Sequence, residues 1–107
     1  AGGTDAPVEI GDPRIEFYAA VTRKDVDGYH ADGWNLDQKL TRLEALKMFT
    51  IWPAIASFQE NVKGTIEVGK LADLSIFDKD LMNIPELEIL ESKNVLTVVG
   101  GRIVYQK

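Results

Sequence analysis

The sequence predicts a small α+β protein in which two helices precede three or four strands. Apolar residues recur at helical spacing from Pro13 to Arg23 and again in "LTRLEALKMF", whereas the last third of the chain is rich in alternating or β-branched residues. The 107 residues form one domain at most. A sheet of so few strands has exposed edges, and we expect structure from outside the sheet to cover them.

The first helix begins at a clear start signal. Asp12 can cap the free N–H groups of a helix, and Pro13 suits its first turn. The chain then becomes polar and loses its periodicity from Lys24 to Gln38, which predicts a loop of about fifteen residues, either a functional lid or simply mobile. The helical face that we expect to be buried consists of Ile15, Tyr18, Ala19 and Thr22.

The second helix has the strongest local signal in the chain. Thr41 and Glu44 have the spacing of a capping box, in which each side chain satisfies a free N–H group of the other. Pro53 should kink or restart this helix, which then resumes as far as Phe58. The face that we expect to pack inward consists of Leu43, Leu46 and Thr50, with Phe49 beside them.

The C-terminal part changes from helical to strand patterns. In "LSIF", Leu74 and Ile76 alternate with Ser75 and Phe77, which predicts a strand. "NVLTVVGGRIVYQK" predicts a β-hairpin, because Gly100 and Gly101 allow a two-residue turn with positive φ. Between these elements, residues 81–90 are broken by Pro85 and have room for one helical turn.

Composition excludes several classes of function. The formal net charge of −5 disfavours nucleic acid as a partner, and no apolar run approaches the roughly 20 residues that span a bilayer. The chain has no cysteine, so disulfides and thiolate chemistry are excluded and a cytoplasmic location is favoured. The first residue is Ala1, which is compatible with a processed terminus or with a piece of a larger protein.

Four stretches, in this order along the chain, carry a resemblance to a known family. They are "GTDAPV", "YAAVTR", "LTRLEALKMFTIWPAIASF", and "KGTIEVGKLADLSIFDKD" followed by "VVGGRIVY". With them the chain resembles the C-terminal end of a metal-dependent amidohydrolase. The likeness is strongest to the family 3 branch that includes N-substituted formamide deformylase-like proteins.

The resemblance implies a fold and an activity for the longer parent protein. Residues 1–59 would be the end of the last strand and the helices of a (β/α)₈ barrel, and residues 60–107 would be part of a small composite β-sandwich. The parent would hydrolyse a carbon–nitrogen bond, amide-type but not peptide, in a small-molecule substrate. The parent would use one or two divalent metal ions such as zinc.

Asp5, in "GTDAP", is the candidate site residue. The resemblance implies that it lies at the C-terminal end of the eighth barrel strand, where it faces the metal in the full-length parent. There it would accept a proton from the metal-bound water and pass it to the leaving amine. From the residues alone, an Asx-turn or a helix-entry residue before Pro7 is the competing interpretation.

The rest of the catalytic machinery has no counterpart in this sequence. The family's His-x-His pair, bridging lysine and further histidine ligands are absent, and a single carboxylate cannot hold a catalytic zinc ion. We therefore expect no metal in this chain alone, and no catalysis. The alternative is a free-standing, non-enzymatic domain that descends from an amidohydrolase and self-associates through surfaces that once met the barrel.

Other polar residues have simpler structural interpretations. His30 and the aspartates near it match no metal-ligand spacing. Arg23 and Lys24 could contact a substrate, but complementing the dipole of a helix C-terminus is the simpler role. Asp73 is expected at a turn or at the start of a strand. "GTIEVGK" lacks the spacing of a phosphate-binding loop.

Overall fold

The computed structural model describes residues 1–27 and 32–107, and it has the predicted α+β architecture. The helices precede the sheet except for one short helix between the first two strands. The described elements are α1 (Pro13–Thr22), a 3₁₀ turn (Leu36–Gln38), α2 (Arg42–Phe49), α3 (Ile51–Ala56), β1 (Leu74–Phe77), α4 (Glu86–Glu91), β2 (Asn94–Val99) and β3 (Arg102–Gln106).

Helix α1 begins and ends as its sequence signals predict. The carboxylate of Asp12 accepts a hydrogen bond from the N–H of Arg14 (3.0 Å), and Pro13 occupies the first helical position. Arg23 ends the helix in the left-handed conformation (φ 59°), and its N–H donates to the carbonyl of Ala19 (2.8 Å).

The capping box of α2 is confirmed, and the break before α3 lies earlier than predicted. The N–H of Glu44 donates to the Thr41 hydroxyl (3.3 Å), and the N–H of Thr41 donates to the Glu44 carboxylate (2.8 Å). The chain breaks at Thr50 (φ −123°, ψ −91°), three residues before Pro53. The position of the break is explained by Pro53. In a continuous helix its ring would clash with the carbonyl four residues earlier, that of Phe49, so the helix is interrupted directly after Phe49.

The sheet has three antiparallel strands in the order β1-β2-β3. The predicted hairpin is confirmed, with Gly100 and Gly101 both at positive φ (54° and 79°). The predicted alternation in β1 is wrong, because Ser75 and Ile76 are both exposed. The pairing register shifts between Ile76 and Phe77, and such a bulge disrupts the regular two-residue period of side chains.

The buried core lies between α1, α2 and α4. It consists of Phe17, Tyr18 and Val21 of α1, Ala45 of α2 and Ile89 of α4. The core therefore contains residues from both of the segments distinguished above, 1–59 and 60–107. Every residue of β3 is exposed, so the sheet lies outside this core.

The inward faces predicted for the helices need correction. In α1, Tyr18 and Thr22 are buried as predicted, but Ile15 and Ala19 are only half-buried. In α2, Leu43 and Leu46 are exposed (54% and 41%), as is Thr50, whereas Ala45 is buried. Phe49 is half-buried and packs against the core. Ala45 shares the buried cluster with residues of α1 and α4, and the two leucines lie on the outer side of α2.

Candidate functional site

Asp5 lies at the start of a tight turn. Its φ is 48°, in the left-handed region, and the following Ala6–Pro7 peptide bond is cis. The N–H groups of Val8 and Glu9 donate to the main-chain carbonyl of Asp5 (2.9 and 3.4 Å). The turn is therefore held by the main chain of Asp5 and not by its side chain.

The carboxylate of Asp5 is exposed to solvent, and no hydrogen bond or ion pair engages it within residues 1–27 and 32–107. An Asx-turn would engage this carboxylate with a main-chain N–H two residues on, but that residue is Pro7, which has none. The geometry leaves the carboxylate available to a partner outside the chain.

The segment that carries Asp5 is anchored on both sides. Upstream, the N–H of Gly2 donates to the carbonyl of Met48 at the end of α2 (2.9 Å). A Cβ at Gly2 would lie 2.5 Å from the Met48 Cγ, so any larger residue there would require the Met48 side chain to move. Downstream, Asp12 is fixed as the cap of α1. Asp5 therefore lies between two points that are attached to the helical layer.

The described residues do not make a metal centre. Among them, no group of three or more histidine, cysteine, aspartate or glutamate side chains could hold a metal ion. A catalytic zinc ion usually has three protein ligands, and Asp5 supplies one at most. His30 lies outside the described residues. The chain as described does not fit a metal cofactor by itself.

Arg23 has a structural role that the sequence did not reveal. Its side-chain Nε donates to the carbonyl of Trp34 (3.0 Å), and its guanidinium lies 5.3 Å from the centroid of the Trp34 ring, in a cation–π contact. The N–H of Trp34 donates back to the carbonyl of Arg23 (3.0 Å). Arg23 thus joins the two ends of the segment that follows α1. Nothing in a spacing of eleven residues predicts this pairing.

Asp73 has the structural role that the sequence predicts, and Lys70 has one that the sequence did not reveal. The carboxylate of Asp73 accepts a hydrogen bond from the N–H of Gly100 (2.7 Å), so it links the start of β1 to the hairpin turn. In "GTIEVGK", Lys70 donates to the Thr65 hydroxyl (2.6 Å) and pairs with Glu67 (2.9 Å). These contacts close a loop within the chain, so its lysine is engaged internally.

The pKa shifts of two carboxyl groups also have structural causes. Hydrogen bonds from the Arg14 side chain lower the pKa of Asp12. The hydrogen bonds from Thr41 lower the pKa of Glu44. Both groups are helix caps, so these shifts report on stability and not on catalysis.

Sequence reasoning missed a cleft between α3 and β1. Its volume is ≈ 430 Å³. Its apolar walls come from Phe49, Pro53, Ala54, Ile66, Leu71 and Leu74, and Lys63 and Asp73 also line it. The segments that line the cleft are separate in the sequence, so no local sequence motif predicts it.

Comparison with known proteins identifies the family. The amidohydrolase family profile matches residues 1–105. The chain is 36% identical, over its whole length, to YtcJ of Bacillus subtilis (strain 168), which is an amidohydrolase by name alone. The present chain is also 34% identical, over 98% of its length, to the N-substituted formamide deformylase of Arthrobacter pascens. The chain belongs to the amidohydrolase family, as its motifs indicate.

The match covers only a small part of these relatives. The chain spans 20% of the Bacillus protein and 18% of the Arthrobacter protein. No solved structure gives a significant match to the chain. Among the residues that the structure describes, no helix is both long enough and apolar enough to cross a membrane.

Proposed function

We propose that the chain is the C-terminal portion of a metal-dependent hydrolase that acts on carbon–nitrogen bonds of the amide type other than peptide bonds. The observation that carries this proposal is the family match over residues 1–105, joined to a relative named as a deformylase of N-substituted formamides. The substrate class is accordingly a small molecule with an amide-type bond. A cytoplasmic location belongs to the same proposal, since the chain has no cysteine.

In this proposal residues 1–59 are the last strand end and helices of a (β/α)₈ barrel, and residues 60–107 are part of a composite β-sandwich. The exposed edge strand β3 supports an added layer, because an uncovered strand edge has unpaired main-chain groups. The metal centre would be completed by residues outside this chain, since the described part holds no ligand cluster.

Asp5 is the residue that we assign to the chemistry. Its carboxylate is exposed, free of partners among the described residues, and positioned by a turn that does not use it. In the parent it would accept the proton of the attacking water and deliver it to the leaving nitrogen, as a general base and then a general acid. Ligation of the metal by the same carboxylate is part of the proposal.

The test is made in the longer protein that contains this chain. Asp5→Asn should reduce hydrolysis of an N-substituted formamide by about 10²-fold or more, since positioned proton transfer contributes on that order. A chelator should abolish the same activity. Asp37→Asn, which changes an exposed aspartate of the 3₁₀ turn, is the matched control and should leave the rate unchanged. Full activity in Asp5→Asn would exclude the assigned role.

The second candidate is a non-enzymatic domain that self-associates, and the exposed apolar surface favours it. Large apolar side chains are exposed in the connection between α3 and β1 and in the sheet, among them Phe58 (93%), Ile66 (89%), Ile103 (61%) and Val104 (60%). Sedimentation of the chain at micromolar concentration should then show a dimer or larger species. A stable monomer would count against this candidate.

A further inference from the structure

The cleft between α3 and β1 has the size and lining of a small-molecule site. Its volume of ≈ 430 Å³ falls in the usual range for ligand pockets, and most of its wall is apolar. One side comes from Pro53 and Ala54 of α3, and another from Leu71 and Leu74 near the start of β1. No residue of the Asp5 turn lines it, so a ligand in this cleft is independent of the proposed function.

Lys63 is the cation of this cleft, and its ammonium group has no partner among the described residues. The residue is half-buried, and its main-chain N–H donates to the carbonyl of Gln59 (3.0 Å). Within residues 1–27 and 32–107, no carboxylate or other acceptor engages its side chain. The nearby Lys70, by contrast, is paired with both Glu67 and Thr65.

The other charged and hydroxyl groups of the cleft are mostly satisfied internally. Asp73 accepts the N–H of Gly100 (2.7 Å). The hydroxyls of Thr50 and Ser57 donate to the main chain of their own helices, at 2.7 and 2.9 Å. Lys63 is therefore the charged group of the cleft that has no partner among the described residues, and an anionic head group in the cleft could pair with it.

The wall that carries Lys63 is fixed by its neighbour Gly64. The φ of Gly64 is +98°, and a Cβ at this position would lie 2.8 Å from the Ala54 Cβ and 3.0 Å from the Ile51 Cα. The chain therefore approaches α3 as closely as its main chain allows. The backbone next to Lys63 therefore packs directly against α3, which forms one wall of the cleft.

We propose that this cleft binds a small molecule that has an apolar body and a single carboxylate, with the carboxylate paired to Lys63. The apolar walls favour an aliphatic or aromatic body, because its burial removes apolar surface from water. The unpaired ammonium selects an anionic head over a neutral one. A dianion or a polyanion fits less well, since the cleft has a single free cation among its described residues.

Titration with hexanoate, followed by the amide NMR signals of Gly64 and Leu71, tests this proposal in the 107-residue chain. We expect saturable binding with a Kd of about 1 mM, which is reasonable for so small a ligand. Hexan-1-ol, with the same body and no charge, should bind at least about tenfold more weakly. Lys63→Gln should weaken hexanoate binding by a similar factor, and Lys63→Arg should retain it.

The matched control is Lys39→Gln, which removes the same charge from an exposed lysine that does not line the cleft. It should leave hexanoate binding unchanged. The proposal is overturned if no saturable shift appears, if hexanoate and hexan-1-ol bind alike, or if Lys63→Gln and Lys39→Gln behave alike. Loss of binding in the longer protein would mean that another part of that protein covers the cleft, which also overturns a ligand site.

Discussion

At the scale of single residues, Gly64 combines two constraints that can be separated by mutation. Its φ of +98° disfavours any L side chain, and an added Cβ would meet Ala54, Ile51 and the carbonyl of Thr50 at 2.8, 3.0 and 3.2 Å. Gly69 has nearly the same φ, +96°, but nothing lies within 4 Å of an added Cβ. The two glycines therefore differ in the close approach alone.

We expect Gly69→Ala to lower the free energy of unfolding by about 1 kcal/mol, the usual cost of a non-glycine residue at positive φ. Gly64→Ala should lower it by about 3 kcal/mol, because overpacking adds to the strain. Urea unfolding followed by circular dichroism measures both. Equal losses in the two variants would show that α3 moves aside without cost.

Single residues also show what the sequence could and could not predict about the candidate site. Asp5 stands in a short motif, so a resemblance alone could single it out. The partnership of Arg23 with Trp34, and the isolation of the Lys63 ammonium among the described residues, arise from segments that meet only after folding. Local chemistry cannot foresee such contacts, because they depend on where the chain returns.

At the scale of elements, the capping box of α2 gives a prediction about pH. The hydrogen bonds from Thr41 lower the pKa of Glu44 below its ordinary value of 4.5. A carboxyl whose pKa is lower in the folded state stabilises the fold above its unfolded pKa. That stabilisation is lost as the pH falls through the folded-state pKa.

The unfolding free energy of the wild type should therefore decrease as the pH falls below 4.5, and part of this decrease should vanish in Glu44→Gln. Urea unfolding at several pH values between about 7 and about 3 measures the effect. Glu9→Gln is the control, since Glu9 is exposed and its side chain has no hydrogen bond among the described residues. If both variants follow the wild type with pH, the capping box does not contribute to the pH dependence.

Elements are predictable where the signal is local. The start of α1, the capping box of α2 and the Gly100–Gly101 turn each depend on a few adjacent residues, and all three are confirmed. The predicted inward face of α2 is wrong. Helical spacing shows which side chains share a face, but it cannot show which face meets a partner. The partner here includes Ile89, which lies more than forty residues further along the chain.

At the scale of the whole molecule, helices and sheet are joined through the segment between β1 and β2. Ile89 of α4 is fully buried against residues of α1 and α2. The guanidinium of Arg14 donates to the carbonyl of Ser92, and that of Arg42 donates to the carbonyls of Leu81 and Ile84. These contacts cross from the helical layer to the connection that leads into β2, so the two parts should unfold together.

Arg42→Lys tests this coupling. A lysine ammonium has no planar fork to reach two carbonyls at once, so at least one half-buried acceptor would lose its partner. We expect the free energy of unfolding to fall by about 2 kcal/mol, the order expected for a charged hydrogen bond. Arg102→Lys, on the exposed strand β3, is the matched control and should change stability little.

The unfolding transitions of the wild type and of Arg42→Lys together test whether the helices and the sheet form one cooperative unit. Helix content from far-ultraviolet circular dichroism and the environment of Tyr105 in β3 report on the two parts separately. In the wild type the two transitions should coincide. In Arg42→Lys we expect both transitions to move together to a lower urea concentration, because Ile89 still joins the helical layer to the connection that leads into β2. Separate transitions in the wild type itself would mean that the sheet and the helices are independent folding units, and that the contacts of Arg42 do not couple them.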